Sequence, residues 1–225
     1  MSSQIKPIKI YGQGGPNALK VALIFHELEI PYEVVVVPYA DIKKAEYTAI
    51  NPNGRVPAIH DPNTSITLWE SGAIIEYLVD RYDPNHKLSF PPGPAEFYHS
   101  KQWLYFQTSG QGPYFGQVTW FKQLHHEQLP SAIERYVKEM NRVTAVLEGY
   151  LAKQKLASGS DEAWLVGNKI SFADLSFVPW YTVMDFFLPS DQYDVNNYPH
   201  VKQWLGNMDS RKPVQDAKKV FKLGE

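Results

Sequence analysis

The chain has 225 residues, 44% hydrophobic and 20% charged, with a formal net charge of −2. That balance suits a globular protein with a sizeable core, and it supplies no positive field for nucleic acid or an anionic membrane. There is no cysteine, which excludes a disulfide framework, a Cys-ligated metal and a cysteine nucleophile, so any thiol chemistry must use a sulfur brought by a ligand.

Residues 1 to 83 alternate strand and helix signals at short intervals. "IKIY" at 8–11 reads as a strand, and the apolar stretch 16–29 as a helix. "YEVVVV" is a β-branched strand and "DIKKAEYTAI" a weak, irregular helix. "VPAIHD" and "SITLW" are short strands joined by the turn "DPNT", so they should pair antiparallel. "SGAIIEYLVDRY" closes the half as a helix. The predicted order is βαβαββα, an α/β unit.

"DPNHKLSFPPGPAEF" is rich in Pro and Gly and has no period, which predicts a linker over residues 84–95. Residues 96–225 then read as an all-α domain. Two long helices are predicted over 95–125 and 130–155, with shorter ones beginning near Ser171, Tyr198 and Pro213. "TSGQGPYFG" should kink or break the first, since Gly and Pro are poor interior residues. Ser171 followed three residues later by Asp174 is a capping-box relative and a folding element, not a site.

No stretch approaches the ~18 apolar residues of a membrane span, and "MSSQIKPIKI" lacks the apolar region of a leader. A soluble, cytoplasmic protein is the expectation, with neither nucleic acid nor membrane as a partner.

The Gly-rich turn "YGQGGPNAL" between the first strand and helix resembles a dinucleotide fingerprint only superficially. The third glycine of G-x-G-x-x-G would fall on Asn17, and no acidic residue ends the second strand. Pro16 suits the first helical position, which puts Asn17 in the first turn beside free backbone N–H groups. An amide is no base; it can donate to or orient a partner, or simply cap the turn.

Two further segments offer free groups of the same kind. In "NPNGRVPAI", Pro57 enters a strand, Val56 before it can pair its backbone with an extended ligand, and Arg55 adds a cation. The alternative is a plain turn and edge strand. In "LWESGAII", Glu70 and Ser71 stand where strand becomes helix, with Ser71 as the expected N-cap. A carboxylate would meet Ser71 and the helix N-terminus, and an ammonium would meet Glu70. Alone, such a pair is only a cap. Together the three segments describe a ligand with a zwitterionic end, a peptide-like middle and a functional group aimed at residues 13–17.

"NPNGRVPAI" followed by "LWESGAIIEYLVDRY", and later "WLVGNKISFADLSFVPW", resemble the thioredoxin-like and all-helical halves of cytosolic glutathione transferases. "PNALKVAL", "WESGAI", "WLYFQTSG" and "FVPW" resemble one subgroup. It holds the yeast prion nitrogen regulator, related fungal transferases and bacterial glutathione-dependent disulfide-bond oxidoreductases. The resemblance implies glutathione as co-substrate, no metal, and a homodimer. It implies that Val56 pairs with the cysteinyl part, that Pro57 is cis, and that Glu70 and Ser71 hold the γ-glutamyl end. Lys43, with Lys44 as competitor, would meet the glycine carboxylate.

Asn17 matches the asparagine of that subgroup and is the expected catalytic residue. Tyr11 lies one residue off the family's tyrosine position, and Gln13 ranks behind both. Tyr114, Phe115, Trp120 and Phe121, on the interrupted helix, are candidates for the electrophile pocket or for core packing. The implied activity is transfer of glutathione to an electrophile, with disulfide reduction, peroxide reduction or non-catalytic glutathione binding as alternatives.

Overall fold

The computed structural model describes residues 5–160, 162–190 and 192–221. The chain divides into two compact units. Residues 5–89, together with 212–221, make one; Phe90–Arg211 make the other.

The first unit is built on four short strands, β1 (Ile8–Tyr11), β2 (Tyr32–Val35), β3 (Ala58–Asp61) and β4 (Ile66–Trp69), in the order β2-β1-β3-β4. β1 runs parallel to β2 and antiparallel to β3, and the β3–β4 pair is antiparallel, as "DPNT" predicts. Helices α1 (Pro16–Glu27) and α3 (Ser71–Tyr82) pack on each other. Between β2 and β3 stand a 3-10 turn at Tyr39–Asp41 and the single-turn helix α2 (Ala45–Thr48), the irregular segment expected there.

α1 is buried nearly all round, from Ala18 through Phe25. A helix apolar on every face needs cover on more than one side. The second cover comes from the far end of the chain: helix α9 (Lys212–Val220) packs on α1, burying Val214 and Ala217, with Phe221 fully enclosed beyond it. Phe221 lies 6.2 Å from the Tyr32 ring, which stacks on Phe25 at 5.0 Å. The sequence reading put this tail with the helical domain. The structure puts it in the first unit, because α1 exposes an apolar flank that Val214, Ala217 and Phe221 match.

Asp61 ties α3 to the β3–β4 turn. It accepts from the hydroxyls of Tyr77 (2.6 Å) and Tyr82 (2.5 Å), and from the backbone and side-chain N–H groups of Asn63, both at 2.8 Å. Burial alone would raise its carboxyl pKa; those donors outweigh it and hold it below the usual value.

The second unit is helical: α4 (Ala95–Phe106), α5 (Gly112–Thr119), α6 (Pro130–Ser158), α7 (Phe172–Phe187) and α8 (Pro199–Asp209). Its core holds Trp103, Phe115, Val143, Leu147, Phe177 and Trp204. The predicted kink takes another form. The chain stays helical from Ala95 to Leu124, widening into π-helical turns at Gln107–Gln111 and Trp120–Leu124. A widened turn absorbs the N–H missing at Pro113 without breaking the helix. Inside the first wide turn, Gln107 donates to Gln111 at 2.9 Å, and Gln111 donates to the Phe177 carbonyl at 3.1 Å.

Asp174 is the folding element expected. It accepts from the backbone N–H and hydroxyl of Ser171, from the Leu165 N–H and from the Trp204 indole. Among the described residues, no helix is long and apolar enough to cross a membrane.

Candidate functional site

Three pieces of the first unit meet at one hollow of about 80 Å³, lined by Asn17, Asn51, Asn53, Arg55, Val56, Pro57, Glu70 and Ser71. Ligand pockets for whole drug-sized molecules run to roughly 300–1,000 Å³. This one has room for an amino-acid-sized end group, with the remainder of any longer ligand lying outside it.

Asn17 arrives on the first turn of α1. Gly15 precedes the helix at φ +76°, and Pro16 begins it, as its fixed φ and missing N–H favour. The turn can form because Gly12 has no Cβ: at its φ of +99°, a Cβ would stand 2.4 Å from Cγ1 of Val56. Gly12 thus lets the turn pass directly over the residue before the strand. The Val56–Pro57 peptide is cis, as the resemblance implies.

The loop ahead of Val56 is pinned from below. Asn51, 2% exposed, donates its amide to the Arg55 carbonyl at 2.6 Å and accepts the Asn53 N–H at 3.0 Å. The Tyr47 hydroxyl donates to the same Arg55 oxygen at 2.7 Å. Lys43 donates to the Asn53 carbonyl at 2.9 Å, so its ammonium stands at the rim. Its competitor Lys44 turns instead to Asp41, at 2.5 Å.

Glu70 and Ser71 come from the β4–α3 junction. The cap position is Glu70 rather than Ser71, which is the first helical residue. Glu70 has φ +70° and ψ 110°, a conformation costly for a residue with a side chain. Such outliers persist where the surroundings over-determine them, and they cluster at ligand sites. Ser71 and the opening N–H groups of α3 give the hollow an anion-accepting wall; the Glu70 carboxylate gives it a cation-accepting one.

Beneath Asn17, one turn further along α1, Lys20 is 1% exposed. Burial pulls its ammonium pKa down to about 7, against an upward pull from Glu70.

The hollow therefore gathers Asn17, Arg55, Val56, Pro57, Glu70 and Ser71 of the residues expected from sequence. It does not gather Tyr11 or Gln13. Ile8 and Ile10 of β1 face the core, so alternation turns Tyr11 to the opposite face. Gln13 donates weakly to the carbonyl of Val220, the last residue of α9, at 3.4 Å.

The four aromatic candidates all belong to the helical unit. Phe115 is fully buried, edge-on to Tyr181 at 5.3 Å, and is a core side chain. Phe121 stacks on Tyr136 at 5.6 Å, Tyr114 stands 6.4 Å from the same ring, and Trp120 is 43% exposed.

Sequence reasoning missed Asn51, Asn53 and Lys20. The N-x-N spacing is a usable signal for an Asx-type turn; nothing local marks Lys20 as buried. His125, His126 and Glu127 bring their ligand atoms within 4.8 Å of one another in the helical unit.

Comparison with known proteins agrees with the two halves. The glutathione S-transferase N-terminal domain matches residues 14–81, and the C-terminal domain of the same family matches residues 113–212. A glutathione S-transferase-like protein, tpcF, of Aspergillus fumigatus is 58% identical over 94% of each chain. Glutathione S-transferase 2 of Schizosaccharomyces pombe is 45% identical over 74% of this chain and 70% of its own. Among solved structures, glutathione transferase URE2P6 of Phanerochaete chrysosporium, in complex with oxidised glutathione, superposes with a TM-score of 0.87. It is 42% identical, over 95% of this chain and 96% of that one. The chain belongs to the glutathione S-transferase family.

Proposed function

We propose that the hollow seats the γ-glutamyl end of glutathione and that Asn17 and the N-terminus of α1 hold its sulfur as a thiolate, which attacks a small electrophile. The observation that carries this reading is the sharing of one hollow by Asn17 and the Glu70–Ser71 pair. A zwitterionic end group needs an anion-accepting and a cation-accepting wall together, and its size matches the space. Val56 then pairs its backbone with the cysteinyl part, Arg55 stands beside it, and Lys43 at the rim meets the glycine carboxylate. Occupancy of the URE2P6 structure by oxidised glutathione supports the ligand class.

The energetics are sufficient. Lowering a thiol pKa of ~8.5 by two units needs about 2.7 kcal/mol. A helix N-terminus supplies about 0.3–1 kcal/mol, and a hydrogen bond to a charged group about 1.5–3 kcal/mol. One amide donor at the end of α1 is enough without a general base. The proton leaves to solvent, and the sulfur becomes the nucleophile that this chain does not itself contain.

The electrophile is a small aryl or alkyl compound, with organic peroxides and mixed disulfides as further acceptors of the same thiolate. The protein acts as a cytoplasmic homodimer that uses no metal. The test is purified protein with glutathione, assayed against 1-chloro-2,4-dinitrobenzene, an organic hydroperoxide and a mixed disulfide. Turnover of the aryl halide is expected. Glutathione binding with no turnover of any of the three would overturn catalysis, and absence of binding would overturn the site.

A further inference from the structure

Three metal-ligating side chains follow one another at His125, His126 and Glu127, between the wide turn Trp120–Leu124 and α6. Successive side chains point to opposite faces of a strand and fan out by about 100° around a helix, so three in a row do not ordinarily converge. Here they do. The backbone is extended at His125 (φ −72°, ψ 138°) and bends at His126 and Glu127. That bend brings one ligand atom of each side chain within 4.8 Å of the other two. Among the described residues, no other three His, Cys, Asp or Glu side chains gather in this way.

His125 is the fixed member. Its backbone N–H donates to the Trp120 carbonyl at 2.8 Å, closing the wide turn. Its ring stands edge-on to Phe121 at 5.2 Å and lies 6.4 Å from Trp120, and Phe121 is itself stacked on Tyr136 of α6. The His126 ring lies 4.6 Å from that of His125, and its Nε2 stands 3.7 Å from Oε1 of Glu127. The ammonium of Lys122, the cation on the same turn, donates to Oε1 of Gln192 at 2.5 Å.

Two donors at about 2.0–2.1 Å from a tetrahedral zinc ion lie about 3.4 Å apart. The His126–Glu127 pair is close to that spacing already. These two side chains are 80% and 65% exposed, so they have room to rotate and close the remaining gaps. Two imidazoles and a carboxylate suit zinc, nickel or copper, whereas magnesium takes oxygen ligands throughout.

We propose that His125, His126 and Glu127 form a binding site for a divalent transition cation of the zinc type, with at least one coordination position left to water. The inference stands apart from the glutathione hollow, and the thiolate reaction proposed there does not use this ion.

The test is calorimetric titration of untagged, chelator-stripped protein with zinc chloride near neutral pH. Glutathione is left out, because its thiol is itself a zinc ligand. One ion per chain is expected, with no matching response to magnesium chloride. Changes around a metal site that spare the ligands already cost about 10–100-fold in affinity, so His126→Ala and Glu127→Gln should each raise the zinc Kd at least about tenfold. Both side chains are exposed, so neither substitution threatens folding.

The position of the ion is read separately with copper(II) chloride, which quenches the emission of nearby indoles. Part of that quenching should disappear in Trp120→Phe, since the Trp120 ring lies 6.4 Å from that of His125. Absence of zinc binding, an equal response to magnesium, or parental affinity in either ligand variant would overturn the site. Copper quenching unchanged by Trp120→Phe would place the ion elsewhere and overturn it as well.

Discussion

The side-chain amide of Asn51 donates to the carbonyl of Arg55 across 2.6 Å, closing the loop that carries Arg55 and Val56 into the hollow. Asn51 is buried, so its loss leaves the Arg55 oxygen with the Tyr47 hydroxyl alone and the Asn53 N–H without its side-chain acceptor. Asn51→Ala should destabilise the protein by about 1–3 kcal/mol in urea unfolding. The loop also loses its fixed shape, so KM for glutathione should rise more than kcat falls.

Asn17 and Tyr11 separate cleanly in kinetics. Asn17→Ala removes the donor assigned to the thiolate, and a hydrogen bond to a charged group of about 1.5–3 kcal/mol corresponds to a fall in kcat of roughly 10- to 150-fold. The Kd for S-methylglutathione should stay close to the parent's. Tyr11→Phe, on the opposite side of β1, should leave turnover unchanged. A large loss in Tyr11→Phe with little in Asn17→Ala would reverse the assignment.

Asp61 makes the first unit acid-sensitive. Its native pKa is depressed, so the unfolded chain takes up the proton first as pH falls. The stability contributed by this carboxylate is complete above its unfolded pKa of about 3.9 and is lost as pH falls through the native value. Asp61→Asn should be less stable than the parent by about 1.5–3 kcal/mol at pH 7. The gap should narrow below about pH 4, as unfolding curves across that range would record.

Gly12→Ala should be among the most damaging single substitutions of the turn. It combines a φ of +99° with a Cβ placed 2.4 Å from Val56, so both backbone and neighbour must shift. A loss of about 2–5 kcal/mol is expected in thermal or chemical unfolding. Because Val56 moves, glutathione affinity should fall as well. Gly14→Ala, with open space around its Cβ, carries only the positive φ of +90° and should be milder.

The features that could be read in the sequence are those whose chemistry is local. Strand alternation gave β1 and its outward Tyr11, Pro16 marked the start of α1, and "DPNT" announced the β3–β4 pairing. Ser171 and Asp174 form a capping box that neighbours in sequence suffice to make. The hollow was legible in part because Asn17, Val56–Pro57 and Glu70–Ser71 each occupy an element end, where backbone groups are free.

What stayed hidden depends on distant partners. Nothing within "KPVQDAKKV" says that it covers α1, some 190 residues earlier in the chain. Lys20 is a lone charge in an apolar run, and only the packing of α9 and α3 on its helix shows that it is buried. Phe115 looks like a wall residue until Tyr181 encloses it. The π-helical turns conserve helical hydrogen bonding around Gly112 and Pro113, which composition alone marks as a break.

The placement of α9 has a consequence for how the molecule is made. During synthesis β1 and α1 emerge some 190 residues ahead of Val214, Ala217 and Phe221, which shelter the outer flank of α1 and Tyr32. The sheet-bearing unit therefore cannot finish its interior until the whole helical unit and α9 after it have been made. A fragment cut after Ser89 would carry an uncovered greasy stripe and should aggregate, whereas the same fragment with Lys212–Phe221 supplied by a linker would have its missing lining restored.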